Sequence, residues 1–207
     1  MGHCSNYPLS YIYASFLTLS GHLLGRSVFF RFPTPLYPNF YTCLIGPSGI
    51  THKSTAMALA MESLGEEMRG VRPLRSVTTS RGLLQEMQAR DGSALVWLDE
   101  FATLMNKKRQ DFAADLLSRI VELYACPSTA GNYTGYDPIE VKNSFLSILS
   151  GSTVEWLRSG LTNNDLMAGL GNRMSFVLGD ARKDNPMPKH PYWSGVKWDK
   201  LLRVQGE

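Results

Sequence analysis

The residues best suited to chemistry lie in the stretch YTCLIGPSGITHKS, residues 41–54. An apolar, β-branched and aromatic run at 41–45 predicts a strand. It meets a glycine-rich turn that ends in Lys53-Ser54, and a helix-forming run at 55–68 follows. This strand–loop–helix order is typical of a phosphate-binding P-loop, in which small residues let backbone N–H groups converge on phosphate oxygens. The helix N-terminus would add positive partial charge. Lys53 would reach the β- and γ-phosphates, and the Ser54 hydroxyl would hold Mg²⁺.

The spacing of this loop departs from the usual G-x-x-x-x-G-K-[ST]. Counting back from Lys53 places Pro47 at the first glycine position and His52 at the second, with Gly46 one residue too early. Either the loop is one residue longer, or Ser48 and Gly49 make the turn; a plain strand–turn–helix is the simplest alternative. The predicted nucleotide-binding residues are Gly46, Pro47, Ser48, Gly49, Ile50, Thr51, His52, Lys53, Ser54 and Thr55.

A second signature follows about forty residues downstream, in the run ALVWLDE at 94–100. A continuous apolar run predicts a strand buried on both faces, as in a parallel sheet. Its two terminal carboxylates give the pattern of a Walker B strand. Asp99 would coordinate Mg²⁺, directly or through water, and Glu100 would orient and polarise the attacking water. The alternative is that these carboxylates cap the next helix.

A third apolar run, SFLSIL at 144–149, is followed by Ser150-Gly151-Ser152-Thr153. In ATPases that carry an added strand between the P-loop and Walker B strands, this strand lies beside the P-loop strand. A polar residue at its end, here Ser152 or Thr153, would sense the γ-phosphate or position water. The alternative, compatible with the first, is that one of them caps the following helix.

A fourth candidate is Arg173, in GLGNRM just before the apolar run SFVL. An arginine late in such a core could be a finger that stabilises charge on the transferred phosphoryl group, within its own subunit or in a neighbour. The alternative is a surface arginine paired with a carboxylate.

The alternation of predicted strands and helices indicates an α/β fold with a mainly parallel sheet, helices on both faces and the nucleotide at the carboxyl ends of the strands. We expect a helical lead-in at 1–39 packed on the core, a core at 40–180 and a tail at 181–207. The expected helices are 9–24, 52–69, 80–90 with Ser80 as its cap, 101–106, 111–124, 154–161 and 163–168. The expected strands are 29–32, 40–45, 74–78, 94–98, 144–149 and 174–178, with a hairpin at 131–141.

Composition sets broad limits on the chain. At 207 residues and 43% hydrophobic content, one domain with one good core is expected, and a net charge of +3 does not by itself indicate nucleic acid. Basic groups gather at residues 107–109 and at Arg69, Arg72 and Arg75. The cysteines and histidines show no disulfide or metal spacing, and Cys43 is expected to be a buried thiol. Polar residues interrupt the apolar run at 9–32, so a buried helix is expected there rather than a membrane segment, in a cytoplasmic protein.

The motifs in their order, from LYPNFYTCLIGPSGITHKSTA through TSRGLLQEM, ALVWLDEFATLM and SFLSILSGSTVEWL to GLGNRM, resemble a family of P-loop ATPase domains. These domains occur in phage, plasmid and archaeal primase–helicase-type replication proteins. The resemblance covers roughly residues 9–178. It implies a three-layer α/β/α P-loop NTPase fold of the additional-strand, RecA/AAA-like type. It also implies phosphate and Mg²⁺ at Lys53 and Ser54, Walker B carboxylates at Asp99 and Glu100, a sensor at Ser152 or Thr153, and a finger at Arg173.

The leading functional hypothesis is an ATPase motor that uses ATP and Mg²⁺, acts on DNA and works as a homo-oligomer. The hairpin at 131–141 or the basic group at 107–109 would grip a strand. A second hypothesis is an ATP-dependent switch or assembly module with little turnover, and a third is a small-molecule kinase. The sequence leaves open the nucleotide preference, the type of DNA, the polarity of movement and the ring size.

Overall fold

The computed structural model describes residues 7–107, 115–133, 137–160 and 169–179. Its helices are α1 (Leu9–Leu24), α2 (Lys53–Ser63), α3 (Ser80–Gln88), α4 (Ala102–Lys107), α5 (Leu116–Leu123) and α6 (Val154–Gly160). Its strands are β1 (Tyr41–Ile45), β2 (Ser93–Leu98), β3 (Thr129–Asn132), β4 (Ile139–Lys142), β5 (Phe145–Ser152) and β6 (Met174–Leu178).

Four of these strands form a parallel sheet in the order β2-β5-β1-β6. The prediction that the run after residue 144 lies beside the first strand is confirmed, since β5 pairs with β1 on one side and with β2 on the other. β1 and β5 are buried along their whole length. Such strands need cover on both faces of the sheet, which accounts for their continuous apolar runs.

Helices supply that cover on both faces. On one face α1 and α2 pack on Leu44, Leu95, Trp97 and Leu149. On the other face α3, α4 and α5 pack on strand residues of opposite pleat, which include Cys43, Val96 and Ile148. Successive side chains of a strand point to opposite faces, so one apolar run serves both layers. The chain is therefore an α/β protein with a mainly parallel sheet, as expected, and Cys43 is fully buried as predicted.

Several predicted elements are shorter than expected. The expected strands at 29–32 and 74–78 are reduced to single bridges, Phe30 with Leu36 and Leu74 with Val96. The expected helix at 52–69 ends as α2 at Ser63, because Gly65 takes a left-handed φ of 53° before a short 3₁₀ turn. Helix α3 is capped by Thr79 and not by Ser80, since the Thr79 hydroxyl accepts from Gly82 N at 3.0 Å.

The hairpin is present as an antiparallel pair of β3 and β4. Lys107, the first residue of the predicted basic break at 107–109, ends α4. The other two residues of that break and the predicted turn at Gly135 lie outside the described residues. So does the expected helix at 163–168 and the tail beyond residue 179.

His22, near the end of α1, gives the fold a predictable dependence on pH. Its ring lies 6.0 Å from the Phe145 ring, and burial lowers its pKa from 6.5 to about 4. Between these two values the unfolded chain binds a proton that the folded chain does not, so stability falls as pH drops from 6.5 to 4. From the size of the shift we expect a loss on the order of 3 kcal/mol.

His22→Phe removes this titration. Chemical denaturation of both proteins at pH 4, 5, 6 and 7 should show the wild-type stability falling relative to the variant as pH decreases. Parallel stability profiles would contradict the assignment.

Candidate functional site

The carboxyl ends of three neighbouring strands meet at one edge of the sheet. Ile45, the last residue of β1, is in register with Ser152, and Leu98, the last residue of β2, is in register with Ser150. Gly46 N donates to Ser152 O at 3.2 Å, which extends the β1–β5 ladder into the loop. The residues after β1 and β2 therefore face the end of β5, as they must when parallel strands end together.

The loop at 46–52 joins β1 to α2 with two left-handed residues. Gly49 has φ 73° within the turn at 48–50, and His52, which precedes α2, has φ 50° and ψ 42°. His52 occupies the position where the usual motif has its second glycine. It adopts the left-handed conformation that glycine favours, at some cost in backbone strain. The Thr51 hydroxyl donates to Pro47 O at 2.9 Å and closes the loop on itself. The chain thus turns at Ser48–Gly49, which is the second of the two alternatives that the sequence left open.

The start of α2 leaves backbone donors next to this loop. The first hydrogen bond of the helix runs from Ala56 N to His52 O at 3.0 Å. The amides of Lys53, Ser54 and Thr55 precede it and lack a partner within the helix, as at every helix N-terminus. Ser54 and Thr55 are exposed, and so are loop residues 47–50. The edge therefore offers amide donors to an anion.

Lys53 turns back over the loop. Its Nζ donates to Gly46 O at 2.7 Å and to Pro47 O at 3.4 Å. Partial burial lowers the pKa of Lys53, and the nearby Glu100 carboxylate acts in the opposite direction. Gly151 of β5 lies against the Lys53 stem and close to the Asp99 carbonyl, since a Cβ there would make an ordinary contact of 3.5 Å with Lys53 Cε and a tight one of 3.0 Å with Asp99 O. The lysine is thus held between the loop and the end of β5.

Glu100 is held by the strand beside it. Ser152 Oγ donates to Glu100 Oε1, and Ala102 N lies 3.4 Å from the same oxygen. Phe101 N donates to Gly151 O at 2.7 Å, which fixes the backbone that carries the carboxylate. The structure therefore brings three predicted site residues together: Lys53, Glu100 and Ser152.

Ser152 and Thr153 make different contacts. Thr153 Oγ1 accepts from Trp156 N at 3.2 Å, which confirms the predicted cap of α6 for this residue. Ser152 instead contacts Glu100 across the sheet edge. Asp99, the other predicted carboxylate, is exposed just after β2. Its oxygens and the Ser54 hydroxyl are the kind of ligand that Mg²⁺ prefers.

Arg173 lies at the opposite edge of the sheet. Its neighbour Met174 is in register with Tyr41, the first residue of β1, which places Arg173 five residues, or about 16 Å at ~3.3 Å per residue, before the end of that strand. Its Nη1 donates to Gly169 O at 2.9 Å, and its guanidinium lies 5.8 Å from the Tyr124 ring centre. The structure therefore does not bring Arg173 to the loop of its own subunit, and its role as a finger stays a prediction. These contacts are with a backbone carbonyl and an aromatic ring, so they do not show the alternative of an arginine paired with a carboxylate.

Sequence reasoning missed two residues near the loop. Gly151 was only part of a run of polar residues, yet it lies against the Lys53 stem and the Asp99 carbonyl. Tyr11 in α1 was only part of an apolar run, yet its hydroxyl reaches the carbonyl that ends β1. The register of β5 against β2 could have suggested Gly151, because the residue after Leu98 must face it.

Comparison with known proteins leaves the chain unassigned: no family model matches it, and no curated protein matches it significantly. Within the described ranges, no helix has the length and apolar character needed to cross a membrane.

Proposed function

We propose that this chain is an ATP-binding and ATP-hydrolysing P-loop ATPase of the additional-strand type, a helicase-like motor domain that acts on DNA. The observation that carries the proposal is the position of β5 between β1 and β2. This order lets Ser152 contact the Glu100 carboxylate while Lys53 lies against Gly151. A strand–turn–helix without a phosphate role would need none of these contacts.

The residues present fit a magnesium nucleotide. The left-handed Gly49 and His52 shape a loop that is exposed at its tip, and the unpaired amides of α2 begin where it ends. Lys53 Nζ now donates to loop carbonyls, and those donors can be redirected to a β- or γ-phosphate. Ser54 and Asp99 would hold Mg²⁺, which supplies charge neutralisation on the phosphates.

Glu100 is the group placed to act on water. A general base needs to hold its acceptor oxygen in a fixed position near the water it polarises. The Ser152 hydroxyl and the Ala102 amide fix one carboxylate oxygen of Glu100, which leaves the second oxygen for water. Glu100 would accept the proton of the attacking water, and Lys53 would stabilise the charge that develops on the phosphoryl oxygens.

DNA binding and assembly into a homo-oligomer follow from the family resemblance and from exposed basic groups. Of these, Arg69 is paired with Glu66 and Arg75 stacks over Trp97 at 4.4 Å, while Arg72 is exposed. A homo-oligomer would be needed for Arg173 to reach a phosphate site, since it lies far from its own.

Steady-state ATP hydrolysis with and without single-stranded DNA tests the proposal. Turnover that depends on Mg²⁺ and rises with DNA supports a motor. Nucleotide binding that changes the oligomeric state without turnover supports a switch. Absence of both binding and turnover overturns the nucleotide-site assignment.

Ser152→Ala should reduce turnover by about tenfold with ATP affinity unchanged, because the hydroxyl that orients Glu100 is lost while the phosphate contacts stay. Steady-state kinetics and nucleotide titration measure the two effects separately. Thr153→Ala is the matched control: it removes the α6 cap, which should cost about 1 kcal/mol of stability, with turnover within about twofold of the wild type. Equal losses of turnover in both variants would contradict a specific role for Ser152.

A further inference from the structure

Helix α1 reaches the stem of the loop at 46–52 through one buried tyrosine. Tyr11 is fully buried, and its hydroxyl donates at 2.5 Å to Ile45 O, the carbonyl that ends β1. Gly179 N, which follows β6, donates to the same carbonyl at 3.1 Å. The last carbonyl before the loop is thus held from two distant parts of the chain.

Two glycines make room for the phenol. A Cβ at Gly46 would lie 2.4 Å from the Tyr11 hydroxyl, and a Cβ at Gly179 would lie 2.2 Å from its Cζ atom. Both distances are far below van der Waals contact. A Cβ at Gly46 would also lie 2.7 Å from Thr51 Oγ1. The first residue of the loop is therefore packed between a residue of α1 and a residue of the loop itself.

The other end of the loop is also contacted from the start of α1. The rings of Tyr7 and His52 meet edge to face, with centres 5.5 Å apart and planes at 80°. His52 is the left-handed residue that delivers the chain to Lys53. The segment 7–11 therefore contacts both the first and the last residue of the loop.

We propose that Tyr11 is a positioning residue for the loop, and that α1 is coupled through it to nucleotide binding. The part that concerns nucleotide rests on the function proposed above; the part that concerns loop geometry does not. With the hydroxyl in place, Gly46 O and Pro47 O, on which Lys53 now rests, are held at a fixed position relative to β1. Coupling is reciprocal, so bound nucleotide should in turn hold the segment 7–11 in place.

Tyr11→Phe removes only the hydroxyl and leaves Gly179 N on Ile45 O. The matched control is Thr18→Val, because the Thr18 hydroxyl joins the same helix to the same strand, 2.7 Å from Thr42 Oγ1, but far from the loop. The Thr18 hydroxyl also donates to Ala14 O at 2.8 Å, so Thr18→Val loses two hydrogen bonds and should cost at least as much stability as Tyr11→Phe. Their effects on nucleotide should differ.

For Tyr11→Phe we expect KM for ATP and Kd for a non-hydrolysable ATP analogue to rise about threefold to tenfold, with kcat within about twofold of the wild type. Thr18→Val should leave KM and Kd unchanged. Equal shifts in both variants, or unchanged values in both, would overturn the coupling to nucleotide.

Hydrogen exchange of the nucleotide-free proteins tests the loop geometry without any ligand. The amides of residues 46 and 48–52 should exchange faster in Tyr11→Phe than in Thr18→Val. Equal exchange in the two variants would overturn the positioning role. If the wild type binds no nucleotide, the proposed function fails, and the exchange experiment still decides whether Tyr11 positions the loop.

Discussion

Lys53→Ala should abolish detectable ATP binding and lower turnover at least about 100-fold, the scale of loss when one donor that stabilises transition-state charge is removed. Lys53 is the one cation that the structure holds over both the loop and the end of β5 in the part of the chain that it describes. Its ammonium is only partly desolvated, and it already lies against the carbonyls of Gly46 and Pro47. Removing it leaves the loop amides without a charge to help them attract phosphate.

Lys53→Met makes the test sharper, because it keeps an apolar stem against Gly151 and removes the charge. Burial lowers the pKa of Lys53, which means that the fold disfavours its cationic form. The thermal unfolding midpoint of Lys53→Met should therefore be close to that of the wild type. Lys142→Ala is the surface control, since Lys142 is exposed on β4 and its ion pair with Glu140 is long, at 3.9 Å. Nucleotide titration and steady-state turnover of the three variants are the measurements, and full turnover in Lys53→Met would refute the assignment.

The parts of the site that the sequence could predict are those encoded locally. The apolar runs that became β1 and β2 end directly at the loop and at Asp99-Glu100, so each strand carries its chemical groups at its own carboxyl end. Parallel strands ending at one edge then bring these groups near each other. No long-range information was needed for Lys53 or Glu100.

The parts that depended on packing between distant segments could not be predicted in this way. Which of Ser152 and Thr153 faces Glu100 is set by where β5 ends and α6 begins, a boundary that propensity fixes only to within a few residues. The contact of Tyr11 with Ile45 O spans 34 positions and depends on how α1 packs across β1. Neither feature produces a periodic pattern in the sequence from which it could be predicted.

Arg173 is a different case, because the sequence already indicated that it lies away from the loop of its own subunit. It comes just before β6, and β6 is parallel to β1. A residue before a parallel strand lies at the amino edge of the sheet, whereas the loop lies at the carboxyl edge. The parallel sheet that the sequence predicted therefore already placed Arg173 away from the loop of its own subunit.

Glu100→Gln should separate binding from hydrolysis. Glutamine keeps the shape of the side chain, and its carbonyl oxygen can still accept from Ser152 Oγ and Ala102 N, so the edge of the sheet should keep its geometry. An amide is a far weaker base than a carboxylate, and loss of a positioned general base typically lowers turnover by about 10² to 10⁴. ATP affinity should stay within a few-fold of the wild type, because Lys53 and the loop amides are untouched.

The control for Glu100→Gln is Glu140→Gln, the same change of charge on the exposed face of β4. Single-turnover hydrolysis and nucleotide titration should show Glu100→Gln binding ATP and retaining it, while Glu140→Gln behaves as the wild type. If Glu100→Gln hydrolyses ATP at the wild-type rate, Glu100 is not the base, and its bond to Ser152 is a structural contact at the sheet edge. If it loses affinity and turnover together, the carboxylate acts chiefly through its attraction for the Lys53 ammonium. Only loss of turnover with affinity retained assigns the chemistry to the carboxylate itself.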